Sequence, residues 1–165
     1  MIKSNNYKGI VLAGGSGSRL YPLTKVISKQ LLPIYNRPMV YYPLSILINA
    51  KIKDILIITT PEDQESFKSL LGDGSQWDVR LDYSVQEKPE GIAQSLIIAD
   101  KWLTGNPVVL ILGDNLFFGP DLFLKIEKAI NENDGATIFG YHVDDPERYG
   151  VLELDKSNNV LSIVE

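Results

Sequence analysis

There is no cysteine in the 165 residues, which excludes a disulfide framework, a thiolate metal site and a cysteine nucleophile. The chain therefore suits a reducing compartment. It has a single histidine, His142, inside a strand-like run; with no second histidine or cysteine to share an ion, it reads as a structural residue. No serine stands in a nucleophile elbow, which leaves covalent catalysis without a candidate. There is no basic tract, and 16 Lys and Arg against 21 Asp and Glu leave a net charge of -5, which argues against a duplex-binding surface and so against a nucleic-acid partner. No apolar run approaches the length needed to span a bilayer, and the opening Met1-Ile2-Lys3-Ser4-Asn5-Asn6 lacks the apolar core of a signal peptide. These absences predict a cytoplasmic protein with no membrane partner.

What is present is a chain 44% hydrophobic, enough to bury one respectable core. The patterning predicts strands at Lys8 to Ala13, Asp54 to Thr60, Val79 to Val85 and Pro107 to Leu112. It predicts helices at Met39 to Ala50, Glu62 to Leu71, Ile92 to Leu103 and Leu122 to Asn131, each with apolar residues at helical spacing. That alternation specifies an α/β fold of Rossmann-like type, a mostly parallel sheet with helices on both faces. Three more strand-like runs follow, at Ala136 to Val143, Gly150 to Leu154 and Val160 to Val164. With no linker before them, they are expected to extend the same unit. The sequence stops at Glu165 inside an apparent strand, from which a chain cut short is expected. Tyr41-Tyr42, Phe117-Phe118, Trp77 and Trp102 read as core or interface residues.

In an open α/β sheet, ligands bind beyond the carboxyl ends of the strands, and three loops there carry unusual chemistry. The run Ile10-Val11-Leu12-Ala13 empties into Gly14-Gly15-Ser16-Gly17-Ser18-Arg19-Leu20, with Lys29-Gln30 downstream. Closely spaced glycines let backbone N–H groups converge on an anion, and Arg19 and Lys29 bring positive charge to the same mouth. A Walker loop would need Gly-Lys-Ser/Thr, which is absent, and a dinucleotide fingerprint would need a third glycine where Leu20 stands. An NAD site is further disfavoured by Thr59-Thr60-Pro61, where an acidic residue would end the second strand. The second loop, Gln86-Glu87-Lys88-Pro89-Glu90-Gly91, offers an amide that can both donate and accept along the edge of a base, and a glycine that permits close stacking. The third is Asp114, a carboxylate at the end of a wholly apolar strand. It either pairs with a cation, such as Mg²⁺ shared with a triphosphate, or caps the turn with Asn115. An Asp-x-Asp sugar transferase would place a second aspartate where Leu116 stands.

Together Leu12 to Thr24, Ser28-Lys29-Gln30-Leu31-Leu32-Pro33 and Gly113-Asp114-Asn115-Leu116-Phe117-Phe118-Gly119 resemble the sugar-1-phosphate nucleotidyltransferases, and among them the bacterial glucose-1-phosphate thymidylyltransferases. The resemblance covers essentially the whole chain, with Ser18 where that family is expected to carry threonine. It implies in-line transfer of a nucleotidyl group from dTTP to glucose 1-phosphate, giving dTDP-glucose and pyrophosphate with Mg²⁺ as cofactor. The nucleotide would lie against Leu12, Gly14, Gly15, Gly17, Ser18, Arg19, Gln86, Pro89 and Gly91. Arg19, Lys29 and Asp114 would carry the chemistry, Asp114 holding the metal. Lys29, Tyr149, Gly150 and Glu165 would face the sugar phosphate. The resemblance also implies a homo-oligomer, a homotetramer for the full-length enzyme. Its pattern continues past Glu165 with a lysine and a second metal-binding aspartate. On that basis 1–165 is an incomplete nucleotide-binding domain, 135–165 begins the sugar-binding part, and this chain alone is expected to be inactive. The alternatives are a nucleotide-binding fragment or regulatory module without catalysis, and the same chemistry with UTP or another sugar phosphate.

Overall fold

A computed structural model describes residues 6–15, 17–157 and 159–164, with Arg19 and Arg148 described by backbone alone. Two compact units divide the chain after Glu132.

The first unit is built on four parallel strands, β1 (Lys8–Ala13), β4 (Asp54–Thr59), β5 (Arg80–Val85) and β6 (Val108–Leu112), in the order β5-β4-β1-β6. Between β1 and β4 lies a hairpin of two-residue strands, β2 (Pro33–Ile34) and β3 (Arg37–Pro38). β1 and β4 occupy the middle, and past their first residues they are buried throughout. This is why they read as unbroken apolar runs and not as alternating ones. Ile10 registers with Leu56 on one side and Leu110 on the other.

Successive side chains leave a strand on opposite faces, and the two faces have different partners. Val11, Ala13, Ile55 and Ile57 join one core with α1 (Tyr41–Asn49), α2 (Gln64–Leu71) and α4 (Leu122–Glu132), through Leu44, Leu47, Phe67, Leu71, Ile126 and Ile130. Ile10, Leu12, Leu56 and Ile58 join a second core with α3 (Gln94–Leu103) through Ala99. Helices on both faces of a parallel sheet are the architecture the sequence predicts. β1 runs hard against α1: a side chain at Gly9 would stand 2.9 Å from Leu47 Cδ1. Trp77 packs edge-to-face on Tyr41 at 5.6 Å, and Trp102 donates from Nε1 to Asp82 Oδ2 at 2.7 Å, both as packing residues. Phe118 is fully exposed and belongs to no core. Among the described residues no helix is long and apolar enough to cross a membrane.

The second unit contains an antiparallel pair, β7 (Val151–Leu154) and β8 (Val160–Val164), with a register shift at Glu153/Leu154. Asp155 organises the turn between them. Its Oδ1 accepts from the backbone N–H groups of Ser157 (2.7 Å) and Asn159 (2.9 Å), and its Oδ2 accepts from Asn159 Nδ2. Those bonds, the Asn159 side chain first, hold its carboxyl below the usual carboxylate range. The strand expected at Ala136 to Val143 does not form among the described residues. An extended segment becomes a strand only by pairing, and β7 and β8 pair with each other. His142 is accordingly exposed on irregular chain and not set within a strand.

Candidate active site

β1 and β6 are adjacent, Leu12 beside Leu112, and the chain turns away from both at the same end of the sheet. The loops that leave them, with the loop after β5, wall a cleft of about 620 Å³. Into it the first unit brings Leu12, Gly14, Gly15, Gly17, Ser18, Lys29, Gln86, Pro89, Gly91 and Asp114, residues drawn from three distant stretches of sequence. Arg19 has its backbone in the short 3₁₀ turn Ser18–Leu20, and its side chain lies outside the described residues, as does Ser16. Tyr149 and Gly150 are exposed residues of the second unit, and Glu165 lies outside the described residues.

The glycine loop is shaped by close approach and by backbone conformation. Gly17 takes φ 55°, and a Cβ on it would stand 2.8 Å from Thr24 Cγ2. Thr24 Oγ1 donates to the Gly17 carbonyl at 2.8 Å, tying the loop's far side to the turn that follows. Gly113 packs back on the same strand, where an added Cβ would meet Ala13 Cβ at 3.1 Å. Its N–H donates to the Leu12 carbonyl at 2.8 Å, which carries the ladder one residue beyond β6 and fixes where Asp114 emerges.

Asp114 faces Lys29 across the mouth, with Oδ2 accepting from Nζ at 2.8 Å. Both side chains are about a third exposed (31% and 32%), so the pair is screened by water and weakly stabilising, yet open to a ligand. The carboxylate is therefore engaged with a cation 85 positions away in sequence. Beside Lys29, Gln30 is buried and accepts from Ser28 Oγ at 2.8 Å, while its carbonyl accepts from the Val40 N–H. Among the described residues, no group of three or more His, Cys, Asp or Glu side chains could hold a metal by itself. A single carboxylate at the mouth of a cleft of this volume offers one oxygen to a hard divalent cation, which would need its remaining oxygens from a bound ligand and water.

Gln86 is 4% exposed, and its amide is more constrained than the sequence suggests. Nε2 donates to the Gly91 carbonyl (3.3 Å) and to Gln94 Oε1 (2.5 Å). Oε1 is turned to Gly14, where a Cβ would stand 2.7 Å from it. The expectation of an amide that donates and accepts at once is thus corrected: its donors are committed within the protein, and its carbonyl edge remains. Gln94 and Glu90, which complete this arrangement, and Gln30 carry no distinguishing pattern in the sequence. Gln94 reads as one more polar residue in the first turn of an amphipathic helix, and Gln30's only signal is its place beside Lys29.

The profile of the nucleotidyl transferase family matches residues 8–165. Among curated proteins, the chain is 55% identical over 158 residues to a glucose-1-phosphate thymidylyltransferase of Neisseria gonorrhoeae, covering 96% of this chain and 55% of that one. It is 48% identical to one of Mycobacterium tuberculosis, covering 96% and 54%. The chain thus spans about half the length of the curated relatives it matches. A solved structure from Bacillus anthracis, named as a glucose-1-phosphate thymidylyltransferase and crystallised with sucrose, superposes with a TM-score of 0.89 at 42% identity, covering 96% of this chain and 64% of that one. A UTP-bound UGPase from Acinetobacter baumannii shares the fold, with a TM-score of 0.77 at 22% identity, covering 100% and 68%.

Proposed function

The chain belongs to the nucleotidyl transferase family, and from that premise we propose that its cleft binds dTTP and serves the transfer of a thymidylyl group to glucose 1-phosphate. The observation that carries this reading is the convergence of the glycine loop, Gln86 and the Lys29–Asp114 pair on one cleft at the carboxyl ends of β1, β5 and β6. Curated proteins similar over 96% of the chain carry that activity in their names.

In this reading the backbone N–H groups of the loop from Gly14 to Ser18, with Arg19, hold the triphosphate, and Gln86, Pro89 and Gly91 hold the base against Leu12. Asp114, paired here with Lys29, would hold Mg²⁺, and Lys29 would pair with the phosphates. The metal, when bound, offsets charge on the triphosphate. A phosphate oxygen of glucose 1-phosphate attacks the α-phosphorus, and the bond to the bridging oxygen of the β-phosphate breaks with its electron pair leaving on pyrophosphate. The nucleophile is already an anion, so no general base is needed. What the reaction asks of the protein is positioning and charge neutralisation. That matches a cleft supplying N–H groups, cations and one carboxylate.

Tyr149, Gly150 and Glu165 are assigned to the sugar phosphate, with 135–165 the start of the sugar-binding part. A cytoplasmic setting and assembly with further copies of the chain belong to the same reading. Pyrophosphate release with dTTP, glucose 1-phosphate and Mg²⁺ tests it. Turnover supports the transferase. Retained dTTP binding with no turnover by this chain leaves it a nucleotide-binding module, and loss of both overturns the reading.

A further inference from the structure

The Gln86 amide belongs to a relay whose direction is fixed at both ends by groups that have no choice. The Gly91 carbonyl can only accept, so the edge of Gln86 that meets it must be NH₂. The Glu90 N–H can only donate, so the edge of Gln94 that meets it, at 3.3 Å, must be Oε1. The Glu90 carboxylate imposes the same orientation, because Gln94 Nε2 donates to its Oε2 at 2.7 Å. Gln94 then has only Oε1 to offer Gln86, and it accepts from Gln86 Nε2 at 2.5 Å. The neighbours of both amides thus impose one and the same orientation. With both N–H groups of Gln86 committed, Oε1 alone is turned to Gly14 at the cleft wall.

We propose that Gln94, anchored by Glu90, is a positioning residue that locks Gln86 as a hydrogen-bond acceptor, so that the cleft selects bases presenting an N–H and rejects those presenting a ring-nitrogen lone pair. This inference rests on the reading of the cleft as a nucleoside triphosphate site. Thymine and uracil offer N3–H and pass. Cytosine offers an unprotonated N3, which would face the Gln86 carbonyl oxygen. Two acceptors would then meet in a site whose amide cannot rotate without breaking both of its internal bonds. A mispaired buried polar contact is worth a selectivity of about ten- to a hundredfold. The 5-methyl group plays no part in the selection, so dTTP and UTP are equivalent at Gln86.

The test is calorimetric titration of the chain with dTTP, UTP and dCTP in Mg²⁺. The unmodified chain is expected to bind dTTP and UTP alike at this edge and dCTP about ten- to a hundredfold more weakly. Gln94→Met keeps the length of the side chain and removes the relay. Gln86 is then held by the Gly91 carbonyl alone, so dTTP affinity falls a few-fold while dCTP affinity rises, and the ratio narrows. General loosening would instead weaken both. The double variant E90Q/Q94E, which moves the carboxylate one step along the relay while still offering Gln86 an acceptor, restores the preference and supplies a reading should Gln94→Met fold poorly. A selectivity ratio unchanged in Gln94→Met, or lost in E90Q/Q94E with thermal stability intact, overturns the relay while leaving the nucleotide site standing. A wild-type chain that binds none of the three, or all three equally, overturns the base-site reading and the relay together.

Discussion

Gly14→Ala is expected to weaken the nucleotide site at modest cost to the fold. Gly14 lies outside the positive-φ region, so its backbone conformation does not exclude alanine. The obstacle is space. The new Cβ would stand 2.7 Å from Gln86 Oε1, which is 3.4 minus 2.7, or 0.7 Å, inside the start of ordinary contact. The atom it meets is the end of a side chain, but one held by bonds to Gly91 and Gln94 and almost wholly buried. Relief therefore breaks those two bonds, at about 1 kcal/mol each. Their combined loss of about 2 kcal/mol lowers Tm by about 4–8 °C in a chain of this size. The displaced carbonyl no longer meets the base, and loss of one buried hydrogen bond weakens dTTP binding by about tenfold. Gly105→Ala is the control. With φ 77° and nothing within 4 Å of its Cβ, it carries backbone strain without touching Gln86, so it loses stability and keeps the nucleotide. Scanning fluorimetry and calorimetric titration with dTTP measure both quantities. Wild-type affinity in a folded Gly14→Ala would refute the placement of Gln86 against the ligand.

Arg19→Ala is expected to lower turnover of the transferase by on the order of a hundredfold with Tm unchanged, since one preorganised phosphate donor is lost; near-normal kinetics would remove Arg19 from the site. Asp114→Asn keeps the shape and loses the charge, so dTTP binding should cease to respond to Mg²⁺ or EDTA, while the lost pair with Lys29, a third exposed, costs at most about 1 kcal/mol of stability. A variant that melts early yet keeps its Mg²⁺ response would return Asp114 to a structural role. Burial, then the charge of Asp73, pushes the Tyr83 hydroxyl from 10.0 up to about 12. The folded state therefore favours the protonated phenol, so this contribution is full below pH 10 and is lost as pH rises through about 12. The stability difference between wild type and Tyr83→Phe should accordingly shrink across that window and stay flat below it in denaturant titrations.

The parallel sheet was legible because burial on both faces leaves a plain trace, an apolar run ended by glycine or proline. β1 begins and ends where the pattern placed it, at Lys8 and Ala13. The hairpin of β2 and β3 was not legible, since two residues per strand are too few for any alternation to appear. The run from Ala136 to Val143 shows the opposite failure. Its residues favour an extended chain, but a strand is a relation between two segments, and composition reports only one of them.

The same distinction separates what was legible in the cleft from what was not. Glycine spacing, a lone carboxylate at the end of an apolar strand and a polar loop after another strand are each properties of a short stretch, and sequence displays them. The Lys29–Asp114 pair joins positions 85 apart, and nothing in either neighbourhood names the other. Gln86 is harder still, because its identity was readable while its orientation was not. An amide is nearly symmetric in shape and opposite in polarity at its two ends, so what it offers a ligand is decided by whatever it touches behind. Here that is the Gly91 carbonyl and the Gln94 amide oxygen, the latter held by Glu90. The selectivity of the cleft is therefore set one residue deeper than its wall. Substitutions at Gln94 should change which base is preferred without touching the base, whereas substitutions at Gln86 remove the contact itself, and with it both affinity and preference.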